Sequence, residues 1–102
     1  MQIFNKLVRD KIPQIIEQHG ETPMLRVLDD DEYVFHLEAK LDEEVGEYHR
    51  DKNAEELADI LEVVFALADN MGCSQNELME IYQRKYDSRG GFRDRIFLIS
   101  KE

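Results

Sequence analysis

The chain has 102 residues, with 13 Lys and Arg against 23 Asp and Glu, and a formal net charge of −10 at pH 7. This length predicts a single domain over residues 1–102, with a core so modest that self-association would add stability. The negative charge argues against nucleic acid or a membrane surface as the main partner.

Three further features favour a cytoplasmic protein. The single cysteine, Cys73, cannot form a disulfide within the chain, which fits a reducing compartment. No apolar run approaches the ~18 residues of a membrane span. Met1-Gln2-Ile3 does not begin a signal peptide, so we expect no secretory leader.

The first predicted helix is short. Pro13 is tolerated only in a first helical turn and Gly20 favours a helix end, so the helix is expected from Ile12 to Gln18. Three basic residues precede it in this acidic protein: Lys6, Arg9 and Lys11. They either contact an anionic ligand or simply keep the surface soluble.

A small β element is predicted from two distant stretches. Residues 24–28 alternate weakly between apolar and polar side chains, as a short strand does. Residues 95–101, RIFLISK, are rich in residues that favour strands. We expect these stretches to pair as a two-stranded element within a mainly α fold.

Two long helices form the centre of the predicted fold. The acidic run Asp29-Asp30-Asp31-Glu32 favours the start of a helix that extends to about Asp51. Asn53, with Glu56 three residues later, has the spacing of a capping box and predicts a second helix from Ala54 to Met71. With only a short polar break between them, the helices should form an antiparallel hairpin.

Four acidic residues are expected to meet beside the turn of this hairpin. At ~100° per residue, Glu44 and Glu47 lie ~60° and ~120° around the helix from the middle of the apolar face of the first long helix. Glu56 and Asp59 lie ~80° and ~140° from the middle of the apolar face of the second long helix, in the same sense of rotation and at matching distances from the turn. Clustered carboxylates suit Mg²⁺ or Mn²⁺. The alternative is a solvated acidic face, which a chain this acidic produces by chance.

Two features of the hairpin point to close approach by other groups. Residues 60–68 are apolar on nearly every side apart from Glu62, and a domain of this size can hardly surround such a helix, so a partner subunit is the simplest cover. Gly46 lies among the acids and costs about 1 kcal/mol relative to Ala. It suggests close approach of a backbone, a ligand or a packed helix.

A further helix and a basic segment follow. Ser74 and Glu77 form another capping box, which predicts a helix that continues to about Tyr86. Residues 84–95 contain five basic side chains around a Gly pair, and basic groups at a helix end and in a loop suit phosphate contact. Lys85 and Arg89 are the first candidates. The alternative is a solvated tail.

Together these residues resemble a known enzyme superfamily. The acidic motifs Glu43-Glu44-x-x-Glu47 and Glu56-x-x-Asp59 are similar to the metal-binding signature of MazG-type all-α nucleoside triphosphate pyrophosphohydrolases. The opening KLVRDKIP and the closing RGGF resemble its small single-domain, phosphoribosyl-ATP pyrophosphohydrolase-like members. The resemblance covers nearly the whole chain.

The resemblance implies a fold, an activity and a set of site residues. It implies a helical bundle that assembles as a homodimer or homotetramer, and Mg²⁺-dependent cleavage between the α and β phosphates of a nucleotide. The metal ligands would be Glu44, Glu47, Glu56 and Asp59. Glu43 would add a metal contact or position the attacking water. Charge and position, rather than the resemblance, make Lys40, Lys85, Arg89, Lys6 and Arg9 the candidates for phosphate binding. Lys40 could instead simply pair with Glu44, four residues later.

Three functions remain compatible with these residues. The first is a pyrophosphohydrolase that removes non-canonical nucleotides, and the second is the phosphoribosyl-ATP pyrophosphohydrolase of histidine biosynthesis. The third is a non-catalytic helical module for dimerisation or regulation, in which the acids are only a solvated face. A response of thermal stability to Mg²⁺ would separate the enzymes from the module.

Overall fold

The computed structural model describes all 102 residues and is mainly α-helical, as predicted. It contains α1 (Ile12–Gln18), α2 (Asp30–Asp51), α3 (Ala54–Asn70) and α4 (Gln75–Arg89). The first three helices begin and end within one residue of their predicted bounds, and α4 continues three residues beyond Tyr86, which places Arg89 on a helix. None of the four combines the length and the apolar character needed to span a bilayer.

Helix α2 begins at a complete capping box. The side chain of Asp29 accepts a hydrogen bond from the backbone N–H of Glu32, and the Glu32 carboxylate accepts one from the backbone N–H of Asp29. The same carboxylate also accepts two hydrogen bonds from Arg26, at 3.0 and 2.6 Å. Together with the backbone N–H, these lower the pKa of Glu32 to about 2.

The hairpin between α2 and α3 turns through two residues. Lys52 adopts a left-handed backbone (φ 49°) and ends α2, and Asn53 begins α3 by accepting a hydrogen bond from the backbone N–H of Glu56 at 3.0 Å. Only this half of the predicted capping box forms: the Glu56 carboxylate accepts no hydrogen bond from the backbone N–H of Asn53. The carboxylate of Glu56 is therefore available to the acidic cluster.

The hydrophobic core lies along the α2–α3 contact and is small. Its fully buried apolar residues are Leu37, Val63 and Ala68. Helix α4 packs against α3 alone, and α1 packs closely against none of the other helices. The hairpin is therefore the structural unit that fixes the relative positions of the acidic side chains.

The predicted two-stranded element is absent, which corrects that part of the fold. Residues 24–28 and 95–101 form no strand. Both stretches leave large apolar side chains in solvent, with Val27 96% and Ile99 89% exposed. An isolated pair of strands is at best marginally stable in water, and neither segment has a sheet or helix face on which to pack.

The isolated chain is extended. Its radius of gyration is 18.0 Å, and its extents are 61 × 32 × 23 Å. A compact chain of this length has a radius of gyration of about 13 Å. Within the apolar stretch of α3, only Val63 and Ala68 are buried, while Leu61 is 48% exposed. Much of the apolar surface that the sequence marks for burial is thus uncovered in a single chain.

Candidate metal centre

Four carboxylates converge beside the turn of the hairpin, at the positions expected from helical spacing. Glu44 and Glu47 come from α2, and Glu56 and Asp59 come from α3. One oxygen from each lies within 4.8 Å of the corresponding oxygens of the other three. The two helices run past each other with both acid pairs on the same side of their contact. This gives an all-oxygen set of four donors, the type that hard divalent cations prefer.

Glu44 is the buried member of this set. Only 7% of the residue is exposed, and it is the one charged residue in the buried interior. Its Oε2 atom is shielded from solvent and has no hydrogen-bond partner, and the same is true of Oε2 of half-buried Glu56. Buried polar atoms without partners are uncommon in folded proteins and require an explanation. A bound cation would satisfy both oxygens at once.

The electrostatics of the cluster disfavour the ionised carboxylates. Burial, followed by the charge of Glu47, raises the pKa of Glu44 above its ordinary value. The pKa of Glu56 is also raised, first by the shielding of its carboxylate from water and then by the neighbouring carboxylate of Glu47. The chain therefore places negative charges where they repel each other and are poorly hydrated.

Three basic side chains reach the acids. Lys40 Nζ lies 3.5 Å from Glu43 Oε1 and 3.6 Å from Glu44 Oε1, so it bridges two successive carboxylates on α2. Lys6 Nζ lies 3.4 Å from Glu43 Oε1. Arg9 donates a hydrogen bond to Asp59 Oδ1 at 2.7 Å. The structure thus brings Arg9 and Lys40 to candidate metal ligands, and Lys6 to the adjacent Glu43.

A cleft of about 360 Å³ opens from the carboxylates. Glu44 and Asp59 form part of its wall, and Arg9, Lys11 and Lys40 supply positive charge around it. Its apolar wall consists of Leu7, Val8, Tyr33, Leu37, Val63 and Ala66. This volume lies in the range of small-molecule sites, which combine apolar walls with a few polar groups.

Other expected residues lie elsewhere. Lys85 and Arg89 are exposed on α4; neither forms an ion pair nor lines the cleft. Gly46 meets no close neighbour, since a Cβ atom added there would have no atom within 4 Å. The close approach proposed for this glycine is therefore absent from the isolated chain.

The sequence reasoning missed part of the cleft. Leu7 and Val8 lie in the sequence between the basic residues Lys6 and Arg9, and both are half-buried. The signal was an apolar pair flanked by Lys6 and Arg9 in a segment without helical periodicity. Glu62 also lines the cleft, one turn beyond Asp59 on α3, although its spacing from Glu56 places it on another face.

Comparison with known proteins identifies no family. No family profile matches the chain, and no solved structure matches it. A protein of Mycolicibacterium smegmatis (strain ATCC 700084 / mc(2)155), described as uncharacterized, is 60% identical over 42 residues. The match covers 41% of this chain and 43% of that relative, so the aligned stretch spans less than half of either protein.

Proposed function

We propose that this chain is a Mg²⁺-dependent nucleotide pyrophosphohydrolase that cleaves between the α and β phosphates and releases a monophosphate and pyrophosphate. The observation that carries the proposal is the convergence of four carboxylates from two helices, with an unpartnered Oε2 on the buried Glu44. The resemblance of the acidic motifs and of the KLVRDKIP and RGGF segments to MazG-type enzymes supports the same activity. Removal of non-canonical nucleotides is the role that fits a small enzyme of this type.

The chain's own residues divide into three roles. Glu44, Glu47, Glu56 and Asp59 would hold Mg²⁺, or Mn²⁺ in its place. When bound, the ion would neutralise charge on the phosphates of the transition state. Glu43, which pairs with Lys40, would accept a hydrogen bond from the attacking water. Lys6, Arg9 and Lys40 supply positive charge for the phosphates of a substrate that a protein of charge −10 otherwise repels.

The cleft suits the remainder of a nucleotide. It begins at Glu44 and Asp59, so a substrate whose phosphates lie at the carboxylates would direct its nucleoside along the apolar wall. Tyr33 and Leu37 belong to that wall. Apolar and aromatic side chains of this kind pack against planar bases without selecting one of them.

We also propose that the functional form is a homodimer or homotetramer. Leu57 and Leu61 of α3 are about half exposed, as are Tyr82 and Tyr86 of α4. Exposed apolar side chains along two neighbouring helices are typical of surfaces that associate. The same observation favours a second candidate function, a non-catalytic helical module that only dimerises.

A nucleotide panel tests the proposal and distinguishes the candidates. Standard and non-standard nucleoside triphosphates, together with phosphoribosyl-ATP, are incubated with the protein and Mg²⁺, and pyrophosphate and orthophosphate are measured separately. The proposal predicts pyrophosphate release that EDTA abolishes. A strong preference for phosphoribosyl-ATP would assign the histidine-biosynthesis reaction. Absence of turnover, together with a melting temperature that does not change on addition of Mg²⁺, would favour the non-catalytic module.

A further inference from the structure

The residues before α1 lie at one edge of the candidate metal centre. Residues 5–11, which we call the strap, begin at Asn5, whose backbone is left-handed (φ 46°), and lead into α1. The strap places Lys6 on Glu43 and Arg9 on Asp59, across separations of 37 and 50 residues. Between these two contacts, half-buried Leu7 and Val8 form one wall of the cleft.

The strap is attached only lightly. It contains no helix or strand, and no backbone hydrogen bond joins it to α2 or α3. Helix α1, which follows it, packs closely against no other helix and so does not fix it from that side. The two ion pairs are about half exposed, with side-chain exposures of 46% for Lys6 and 55% for Arg9. Ion pairs in such surroundings contribute little stability, so the strap is held mainly by the half-buried side chains of Leu7 and Val8.

Arg9 and a divalent cation compete for the same carboxylate. Asp59 belongs to the candidate ligand set, and Arg9 already donates to its Oδ1 at 2.7 Å. A cation among the four carboxylates would bring two positive charges close to the guanidinium, and like charges at this separation repel. The ion would also reach the buried Oε2 of Glu44, which no strap residue satisfies. It therefore gains more from the cluster than Arg9 does.

We propose that the strap is an internal counter-ion device: in the metal-free protein its Arg9 pairs with Asp59 at the edge of the carboxylates, and a bound divalent cation displaces the strap. This inference rests on the proposed metal site and adds a mode of regulation to it. Displacement frees Arg9 and Lys6 at the edge of the cleft, where the phosphates of a substrate would approach. Metal loading then prepares phosphate binding, and by linkage phosphate binding favours the metal-loaded state.

Limited trypsin digestion reports the position of the strap directly. Trypsin cleaves after Lys6, Arg9 and Lys11, and it also cleaves after Arg95, in the exposed segment beyond α4 that serves as an internal reference. The fragments are quantified by mass spectrometry with EDTA and with saturating Mn²⁺. We expect the ratio of cleavage in the strap to cleavage after Arg95 to rise several-fold with Mn²⁺.

Mn²⁺ binding by calorimetry tests the competition at Arg9. Arg9→Ala should bind Mn²⁺ about two- to five-fold more tightly than the wild type, the factor equivalent to a half-exposed ion pair of ~0.5–1 kcal/mol. Lys11→Ala is the matched control, since Lys11 lies on the same strap and lines the cleft but forms no ion pair. It should leave the affinity unchanged. Lys6→Ala, which loses a longer contact to Glu43, provides a second variant if Arg9→Ala loses helix content.

The outcomes separate the strap from the metal site. Mn²⁺ binding with unchanged or reduced cleavage in the strap would overturn the inference and leave the metal site intact. Equal tightening by Arg9→Ala and Lys11→Ala would also overturn it, because a general charge effect would then account for the change. Failure of the wild-type protein to bind Mn²⁺ would overturn the strap and the proposed function together.

Discussion

Glu44 is the residue on which the cluster depends most. It is buried in a chain whose other fully buried residues are apolar, and one of its oxygens has no partner. Leaving such a group unsatisfied destabilises a fold unless something else binds it. On the proposed metal site, the metal-free protein is destabilised by this carboxylate, and a bound cation would remove that destabilisation.

This view predicts how stability depends on pH. The folded-state pKa of Glu44 is raised above its ordinary value of 4.5. The protonated form then stabilises the fold below the unfolded pKa, and this contribution is lost as pH rises through the folded pKa. The melting temperature in EDTA should fall over that interval.

Mg²⁺ and one substitution provide the controls. Mg²⁺ should suppress the fall, because it binds the ionised carboxylates. Glu44→Gln should flatten the pH dependence, leaving only the part that belongs to Glu56, whose pKa is also raised. A melting temperature in EDTA that rises steadily over the same pH interval would contradict the assignment. Differential scanning calorimetry over this pH interval measures all three curves: the wild type in EDTA, the wild type in Mg²⁺, and Glu44→Gln in EDTA.

At the scale of elements, local signals explain what sequence reasoning predicted well. The caps at Asp29, Asn53 and Ser74 each form hydrogen bonds to residues three positions away, so they can be predicted from the adjoining sequence. The acid cluster was predictable because both helices are regular and the turn between them is short. The strand pair was predicted wrongly, because a strand needs a partner whose position no local pattern specifies.

The same distinction between local and distant signals explains why the contacts of two basic residues were not predicted. Lys6 and Arg9 were identified as basic candidates, yet their partners Glu43 and Asp59 lie 37 and 50 residues away. The strap that carries them has neither helical nor strand periodicity, so the sequence does not indicate which way its side chains point. Contacts of this kind become visible only once the path of the chain is known.

Gly46 gives a prediction at the scale of helix α2. A methyl group added there meets no atom within 4 Å, so Gly46→Ala should stabilise the isolated fold by about 0.5–1 kcal/mol through reduced backbone entropy. The reverse change at exposed Ala39 on the same helix, Ala39→Gly, should cost a similar amount. Urea denaturation of both variants measures the effect. Destabilisation by Gly46→Ala would show that a partner subunit packs against this glycine.

The whole molecule is too extended to bury its own apolar residues. Its radius of gyration of 18.0 Å compares with about 13 Å for a compact chain of this length. Only three apolar residues are fully buried, although 42% of the chain is hydrophobic. Both α3 and α4 carry exposed apolar side chains, and a second copy of the chain would supply the missing cover.

Leu61→Glu tests this association. Because Leu61 is 48% exposed in a single chain, a carboxylate there can remain hydrated and should leave the helix content unchanged. In an interface the same charge would be buried without a partner, so the oligomer should dissociate. Sedimentation velocity should show an oligomeric wild type and a monomeric variant. Gln14→Glu, an equal change of charge at an exposed position on α1, is the control and should remain oligomeric.

A well-folded wild-type monomer at micromolar concentration would contradict the proposed assembly. It would not bear on the metal site, whose four side chains all come from one hairpin. The oligomeric state and the chemistry of the carboxylates can therefore be tested independently.

The most direct test of the central claim is Mg²⁺-dependent pyrophosphate release by Glu47→Gln, measured beside Glu38→Gln. Both substitutions remove one carboxylate from α2, but only Glu47 belongs to the converging set, while Glu38 is exposed and outside the cleft. We predict that Glu47→Gln loses hydrolysis by orders of magnitude, while its metal-free melting temperature is equal to or above that of the wild type, since one repulsion is removed with one ligand. Glu38→Gln should keep both properties. Wild-type turnover by Glu47→Gln in Mg²⁺ would contradict the account.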